Sequence, residues 1–501
     1  MPGQSSCLAA PPKMTADVRR GWLLLLLLLP ACAVLPLSKE PEPPPDPAAL
    51  TAETFERVRG NPPWLAAFLQ DMPKGGDLHS HLTGAIYAES YIRWAAEDGL
   101  CLERTTLALV GPPCDPDDGR LPATAILGNS TLYGDVIDAW SLRNWNPARS
   151  VGHDQFFQTF LKFRARDRTG DMLAEVTTRA AAQRIGYMEL MLSPRLDAVM
   201  GLGRRIGWTG DTDSIRTALL DAGLRDTLVQ VTQMLDSAEE RRREIQKCGT
   251  PEADPGCDVT VRYLYQLLRS MSSAEVFAQI LGAYELTRID PRVVGFNLVQ
   301  PEDYPVPMRD FSLHMAMIDV LHPLYPEVRI SLHAGELTEG LVPPEGLRFH
   351  IRASIEQGHA RRIGHGVSVM HEDDARGLLR MMAEREILVE VALSSNDVIL
   401  GVRGSRHPLR TYLDAGVPVA LVTDDAGVSR TTLTREFQRA VEEHDVDYWT
   451  LRRVARGSLE HAFVEQPEKE RLLREFDAAL AEFEARWSTP HDDPPVASSA
   501  P

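Results

Sequence analysis

Four short segments carry residues whose types and spacing suit metal-assisted hydrolysis. They are His79-Ser80-His81, His333-Ala334-Gly335-Glu336, Gly364-His365-Gly366 and Asp424-Asp425. Side chains alternate along a strand, so His79 and His81 share one face and can grip one ion. His333 and the Asp424 carboxylate would complete a set of three imidazoles and one carboxylate. That donor set suits Zn²⁺ best, with Fe²⁺ or Co²⁺ as substitutes. Such an ion lowers the pKa of a bound water toward about 7. A lone histidine is more often a hydrogen-bonded one than a ligand. Four histidines and two adjacent aspartates at the ends of different strands are harder to explain that way.

Those strands follow from the apolar pattern. Eight short β-branched runs end in polar residues: Gly76–Leu82, Gly186–Ser193, Val259–Gln266, Val293–Gln300, Arg329–Glu336, Arg362–Val367, Ile387–Ser394 and Pro418–Asp425. Helical stretches lie between most of them, such as Ser273–Leu286, Glu372–Glu384 and His407–Ala415. This alternation predicts an α/β fold, a (β/α)8 TIM barrel whose catalytic groups gather at the strand C-termini. A doubly wound open sheet is the alternative, but no G-x-G-x-x-G follows the first strand. The connection over residues 85–149 is too long for a loop and predicts an insertion after the first strand. Two-metal hydrolases of this architecture often use a modified lysine on strand four. The run Val293–Gln300 has no lysine, which points to one ion per chain.

The four segments, with Met72-Pro73-Lys74-Gly75-Gly76-Asp77-Leu78 before the first and Ser394-Ser395-Asn396 after strand seven, resemble the adenosine deaminase family of the amidohydrolase superfamily. Glu189 and Ser193-Pro194 around strand two fit the same pattern, and the likeness runs in order over residues 70–465. The leader and the Met-Pro-Lys-Gly opening are similar to its exported, growth-factor-like branch.

The resemblance implies a zinc enzyme that converts adenosine, and 2'-deoxyadenosine, to inosine and ammonia. Zinc would be held by His79, His81, His333 and Asp424. His365 would orient the attacking water and act as base and electrostatic partner. Glu336 would give a proton to purine N1, which requires a raised pKa. Asp425 would hydrogen-bond N7. Phe156 and Phe160, four apart on one helix face, would cover the base. His153, beside them, reads as a cap or surface residue.

Three positions, Thr83, Asn297 and Gln300, depart from the family pattern. Thr83 stands where an acid contacts the ribose, and Gln300 stands where a glycine approaches N3, in Asn297-Leu298-Val299-Gln300 for Asp-Leu-x-Gly. Two rival readings follow. One is a mononuclear amidohydrolase acting on another aminopurine or a cyclic amide. The other is a non-catalytic binding protein on the same scaffold.

Composition bounds the rest. The chain has 501 residues, 44% hydrophobic and 25% charged, ordinary values that exclude a disordered or collagen-like chain. Acids outnumber bases 71 to 53, a net charge of −18, which argues against a nucleic-acid polymer or an anionic membrane surface as partner. A small neutral purine nucleoside is compatible with it.

Lys13, Arg19 and Arg20 precede the leucine block Leu23–Leu29, and a secretory signal over 1–31 is expected. Removing it leaves −20. Leu29-Pro30-Ala31-Cys32 resembles a lipoprotein cleavage box with Cys32 as lipid anchor, and ordinary signal cleavage is the alternative. Either route exports the chain: to the cell envelope with a lipid anchor, or to the periplasm or medium without one. Residues 32–63 read as a proline-rich tether and lead-in, 64–487 as the metallo-barrel domain and 488–501 as a flexible tail. Cys101, Cys114, Cys248 and Cys257 allow three pairings, and the local one closes two short loops.

Overall fold

Eight parallel strands form the centre of the computed structural model, which describes residues 46–163 and 168–488. The signal, the Cys32 anchor and residues 489–501 of the tail lie outside the described residues. In chain order the barrel strands are β1 (Gly75–His81), β2 (Ile185–Leu192), β3 (Thr260–Leu268), β4 (Val293–Val299), β5 (Arg329–Ala334), β6 (Arg362–His365), β7 (Leu388–Val391) and β8 (Val419–Leu421). Each pairs in parallel with the next.

The ring is joined between β8 and β1 by a bridge of Ser80 with Asp424. The Asp424 N–H donates to the His79 carbonyl at 2.8 Å, and the His81 N–H donates to the Asp424 carbonyl at 3.1 Å. Every residue of β1 is buried, as expected of a strand covered on both faces. The architecture is the (β/α)8 TIM barrel.

Helices cover the barrel, and their ends follow local chemistry. The helix Ser273–Ile289 starts from a capping box between Ser272 and Glu275. Its residues from Ala274 to Leu286 are all buried, because it is wedged between the barrel and its neighbours. The segment after β1 contains the helices Ala88–Glu97 and Ser130–Trp140. A three-stranded antiparallel sheet of Cys101–Glu103, Leu109–Val110 and Arg120–Pro122 lies between them. Disulfides join Cys101 to Cys114 and Cys248 to Cys257. Closing loops of 13 and 9 residues stabilises the fold by about 3 kcal/mol each in the chain-entropy picture.

Three boundaries differ from the sequence expectation. Residues 46–63, read as the end of the tether and the lead-in, pack in one unit with the barrel. Their prolines open two helices, Pro47–Val58 behind an Asp46 cap and Pro62–Asp71. Proline suits the first helical turn because its missing N–H would have no partner there. Phe55 and Phe68 of these helices are fully buried. Secondly, β5 ends at Ala334 and β8 at Leu421, so Glu336, Asp424 and Asp425 sit on the turns beyond the strands. Thirdly, β7 ends at Val391, and Ser394–Asn396 lie in the helix Leu393–Leu400.

Candidate active site

The C-terminal mouth of the barrel gathers the ligand candidates. His79 Nε2 lies 3.1 Å from His333 Nε2 and 3.5 Å from Asp424 Oδ1. His81 Nε2 lies 3.2 Å from the same Asp424 oxygen. The second Asp424 oxygen accepts from the Ser395 hydroxyl at 2.7 Å. Donor atoms of His79, His333, His365 and Asp424 all fall within 4.8 Å of one another. His81 joins Asp424 and Asp425 in an adjoining group.

Each of the three candidate ligand histidines, His79, His81 and His333, is aimed by a partner on its other nitrogen. His79 Nδ1 is 2.6 Å from Glu390 Oε2, His81 Nδ1 is 2.8 Å from Gln266 Oε1, and His333 Nδ1 is 2.8 Å from Asn297 Oδ1. Oxygens at Nδ1 accept its proton and leave each Nε2 lone pair facing the centre, the arrangement of a ligand shell supported from behind. Gly364 is part of that fit, since a Cβ there would be 2.8 Å from His79 Cε1. A buried cluster with this chemistry fits a metal ion of the zinc type.

The support continues inward. Arg362 lies between Glu390 and Glu189, at 2.7 and 2.5 Å, all three fully buried. Tyr187 donates to Glu189 at 2.8 Å. Sequence reasoning missed Glu390, Gln266 and Arg362 as partners. The signal was present in Leu388-Val389-Glu390-Val391, where one carboxylate interrupts an apolar strand.

Beside the cluster opens a cavity of about 530 Å³, lined by Glu336, His365 and Asp425 among others. Three buried atoms there have no hydrogen-bond partner among the described residues: Glu336 Oε1, His365 Nε2 and Asp425 Oδ1. Buried polar atoms are rarely left unpaired, and an exception calls for an explanation such as a ligand, an ion, a water or a catalytic role. Gly84 makes room for one of them, since a Cβ there would be 1.5 Å from Asp425 Oδ1.

Electrostatics separate these groups. Burial, with the charges of Asp424 and Glu302, pushes the Glu336 pKa well above the ordinary glutamate value. Burial, with Asp424 beside it, pushes Asp425 up to about 8. Burial opposes the charge on Asp424, but His79 and His81 hold it well below the usual carboxylate range. Burial brings His365 down to about 4. Its Nδ1 takes a hydrogen bond from Asn396 Nδ2 at 3.0 Å, and Asn396 Oδ1 lies 3.1 Å from His407 Nε2. His407 Nδ1 in turn accepts from the Leu409 N–H at 3.1 Å.

The outer wall is aromatic. The helix Gly152–Thr159 and the residues after it bring Phe156, Phe157 and Phe160 to the cavity, with Phe156 and Phe160 rings 5.6 Å apart. His153 is buried rather than on the surface, because Asp154 and Asp303 each approach one of its nitrogens at 3.1 Å. Thr83 lines the same cavity. So does Gln300, whose side-chain oxygen is engaged by the Ser270 N–H at 2.8 Å. Gln300, His365 and Asp424 have φ of +84°, +68° and +58°. Left-handed backbone at non-glycine residues is a strained state concentrated at functional sites. At Gln300 it means that the chain keeps a glycine-like turn although the residue carries a side chain.

Comparison with known proteins agrees with this geometry. Residues 154–479 match the family model described as adenosine deaminase. An adenine deaminase of Sinorhizobium medicae is 31% identical over 192 residues, 38% of this chain and 54% of that protein. An adenosine deaminase of Shewanella woodyi is 28% identical over 236 residues, 45% of this chain and 63% of that protein. The chain thus spans about half the length of the curated relatives it matches. The solved structure of arabidopsis ADAL complexed with GMP shares the fold, with TM-score 0.54 and 20% identity over 83% of this chain and 99% of that one.

Proposed function

The chain belongs to the adenosine deaminase family, and from that premise we propose that it hydrolyses the 6-amino group of a purine nucleoside, adenosine or 2'-deoxyadenosine, with one zinc ion per chain. His79, His81, His333 and Asp424 would hold the zinc. The ion, when bound, would supply Lewis acidity toward a water molecule. The remaining chemistry belongs to three side chains.

Glu336 donates. Burial raises its pKa and favours the protonated form, which can pass a proton to N1 and make C6 electrophilic. Asp425, also held protonated, gives a hydrogen bond to N7 and fixes the ring. His365 is neutral near pH 7. With Asn396 donating to Nδ1, its proton sits on Nε2 and orients the attacking water. Accepting the water's proton at Nε2 requires the other tautomer, reached when the Asn396 amide turns and gives up the hydrogen bond it takes from His407 Nε2. His365 passes that proton to the amino group, which departs as ammonia, and the C6 hydroxyl returns a proton to Glu336 as the carbonyl of inosine forms.

The observation that carries this reading is the trio of unpartnered atoms on Glu336, His365 and Asp425 beside a ligand cluster. The test is turnover by Glu336→Gln. The variant should retain zinc and lose about 10²–10⁴ in kcat. An active Glu336→Gln enzyme would refute the proton-donor role.

A second reading, in which free adenine is the substrate, is favoured by one feature. Thr83 offers the ribose a neutral hydroxyl, a weaker partner than a carboxylate. Comparing kcat/KM for adenosine and adenine separates the two. The two disulfides support residence in an oxidising compartment. The export reading predicts that the cell-envelope, periplasmic or medium fraction contains the protein.

A further inference from the structure

The turn that carries Glu336 is tied down by a second buried carboxylate. Glu302, in the loop after β4, is 1% exposed. Its Oε1 accepts from the Gly335 N–H at 3.1 Å, and its Oε2 accepts from the Glu336 N–H at 2.9 Å. His350 Nδ1 lies 2.5 Å from Oε1. The His350 ring is itself fully buried and stacked on Phe311, with centroids 3.9 Å apart.

Two successive N–H groups converge on one carboxylate there. Gly335 makes this possible with φ of +73°. Paired amides of this kind form a small concavity for an anion. Arg269 holds the other side of the turn. It donates to the His333 carbonyl at 3.1 Å and twice to the Gln300 carbonyl, at 3.0 and 2.8 Å. Burial works against a charge on Glu302, but His350 and Arg269 keep its pKa below the ordinary value.

We propose that Glu302 is a positioning residue for deamination. It fixes the Gly335–Glu336 turn and so sets where the Glu336 carboxyl meets the purine, with His350 holding Glu302 in place. This inference rests on the role of Glu336 given above. The Glu302 charge also raises the Glu336 pKa, in the same direction as burial and Asp424.

The test compares full-length, zinc-loaded wild type with Glu302→Gln and Glu302→Asp. Gln would set an NH2 group against an amide N–H. Asp keeps the charge and is too short to reach both amides. Both should lose about 100-fold in kcat, the scale of an ångström of misplacement, with zinc content and KM near wild type. A merely structural role would instead lower zinc content, with kcat per bound zinc unchanged.

Amide hydrogen exchange at residues 335 and 336 reads the clamp independently of turnover, and both amides should lose protection in the variants. If Glu302→Gln does not fold, His350→Phe takes its place, with a smaller loss of kcat in the same direction. Wild-type kcat in any soluble Glu302 variant, or unchanged protection of both amides, would overturn the proposal. An inactive wild type would defeat the deaminase reading instead, and exchange would still decide this one.

Discussion

Asp424 meets His79 twice. Its N–H donates to the His79 carbonyl at 2.8 Å, and its carboxylate stands 3.5 Å from the His79 Nε2. The first contact helps to close the barrel between β8 and β1, and the second helps to build the ligand cluster. Barrel closure and the candidate metal cluster therefore share one pair of residues.

Metal removal should accordingly loosen the seam. Chelation is expected to lower the melting temperature and to speed hydrogen exchange at the His81 and Asp424 amides before other barrel amides. An ion present at about 1,000 times its Kd adds about 4 kcal/mol to stability. Calorimetry with and without chelator, read with residue-resolved exchange, checks both parts. Exchange that rises evenly around the barrel would contradict the link.

Glu390 is the partner behind His79, at 2.6 Å. Glu390→Gln keeps the shape and removes the charge. Loss of such a partner typically costs 10–100-fold in metal affinity. Competition against a zinc-binding dye measures it, and unchanged affinity would show that Glu390 serves packing alone.

The pH dependence should respond to Asn396. His365 must be neutral to act as base, so activity falls as pH drops through its pKa, about 4 in the folded chain. Asn396→Asp places a carboxylate at Nδ1, which favours the imidazolium and raises that pKa. The acid limb of kcat/KM should therefore move to higher pH. An unmoved limb would remove His365 from the base role.

Gly84→Ala is a steric test. The new Cβ would fall 1.5 Å from Asp425 Oδ1, so the carboxyl must leave its place. The expected result is a rise in KM and a fall in kcat comparable to Asp425→Ala, with zinc retained. Wild-type kinetics in Gly84→Ala would mean that Asp425 does not orient the purine from this position.

Much of this architecture was legible in the chain. The eight strands were visible because a barrel strand buried on both faces needs an unbroken apolar run, and polar residues mark where each leaves the core. His79 and His81 were visible because a strand repeats every two residues. The partners were harder to see. Glu390, Gln266 and Asn297 touch the ligands from three other strands, and only the register of the sheet brings them within 3 Å.

Pro47 closes the run read as tether yet opens a helix, because the Asp46 side chain caps it, a contact the proline cluster alone does not reveal. Gln300 could not be understood from its side chain, because the deciding feature is its positive φ. Glu302 gave no local signal at all. Its partners Gly335, Glu336 and His350 lie 33 to 48 residues away.

Purifying the chain, counting its zinc and following adenosine in the same sample tests the proposed deamination. One zinc per chain and steady conversion of adenosine to inosine and ammonia are expected. Full zinc occupancy with no turnover of adenosine or any other 6-aminopurine would contradict it.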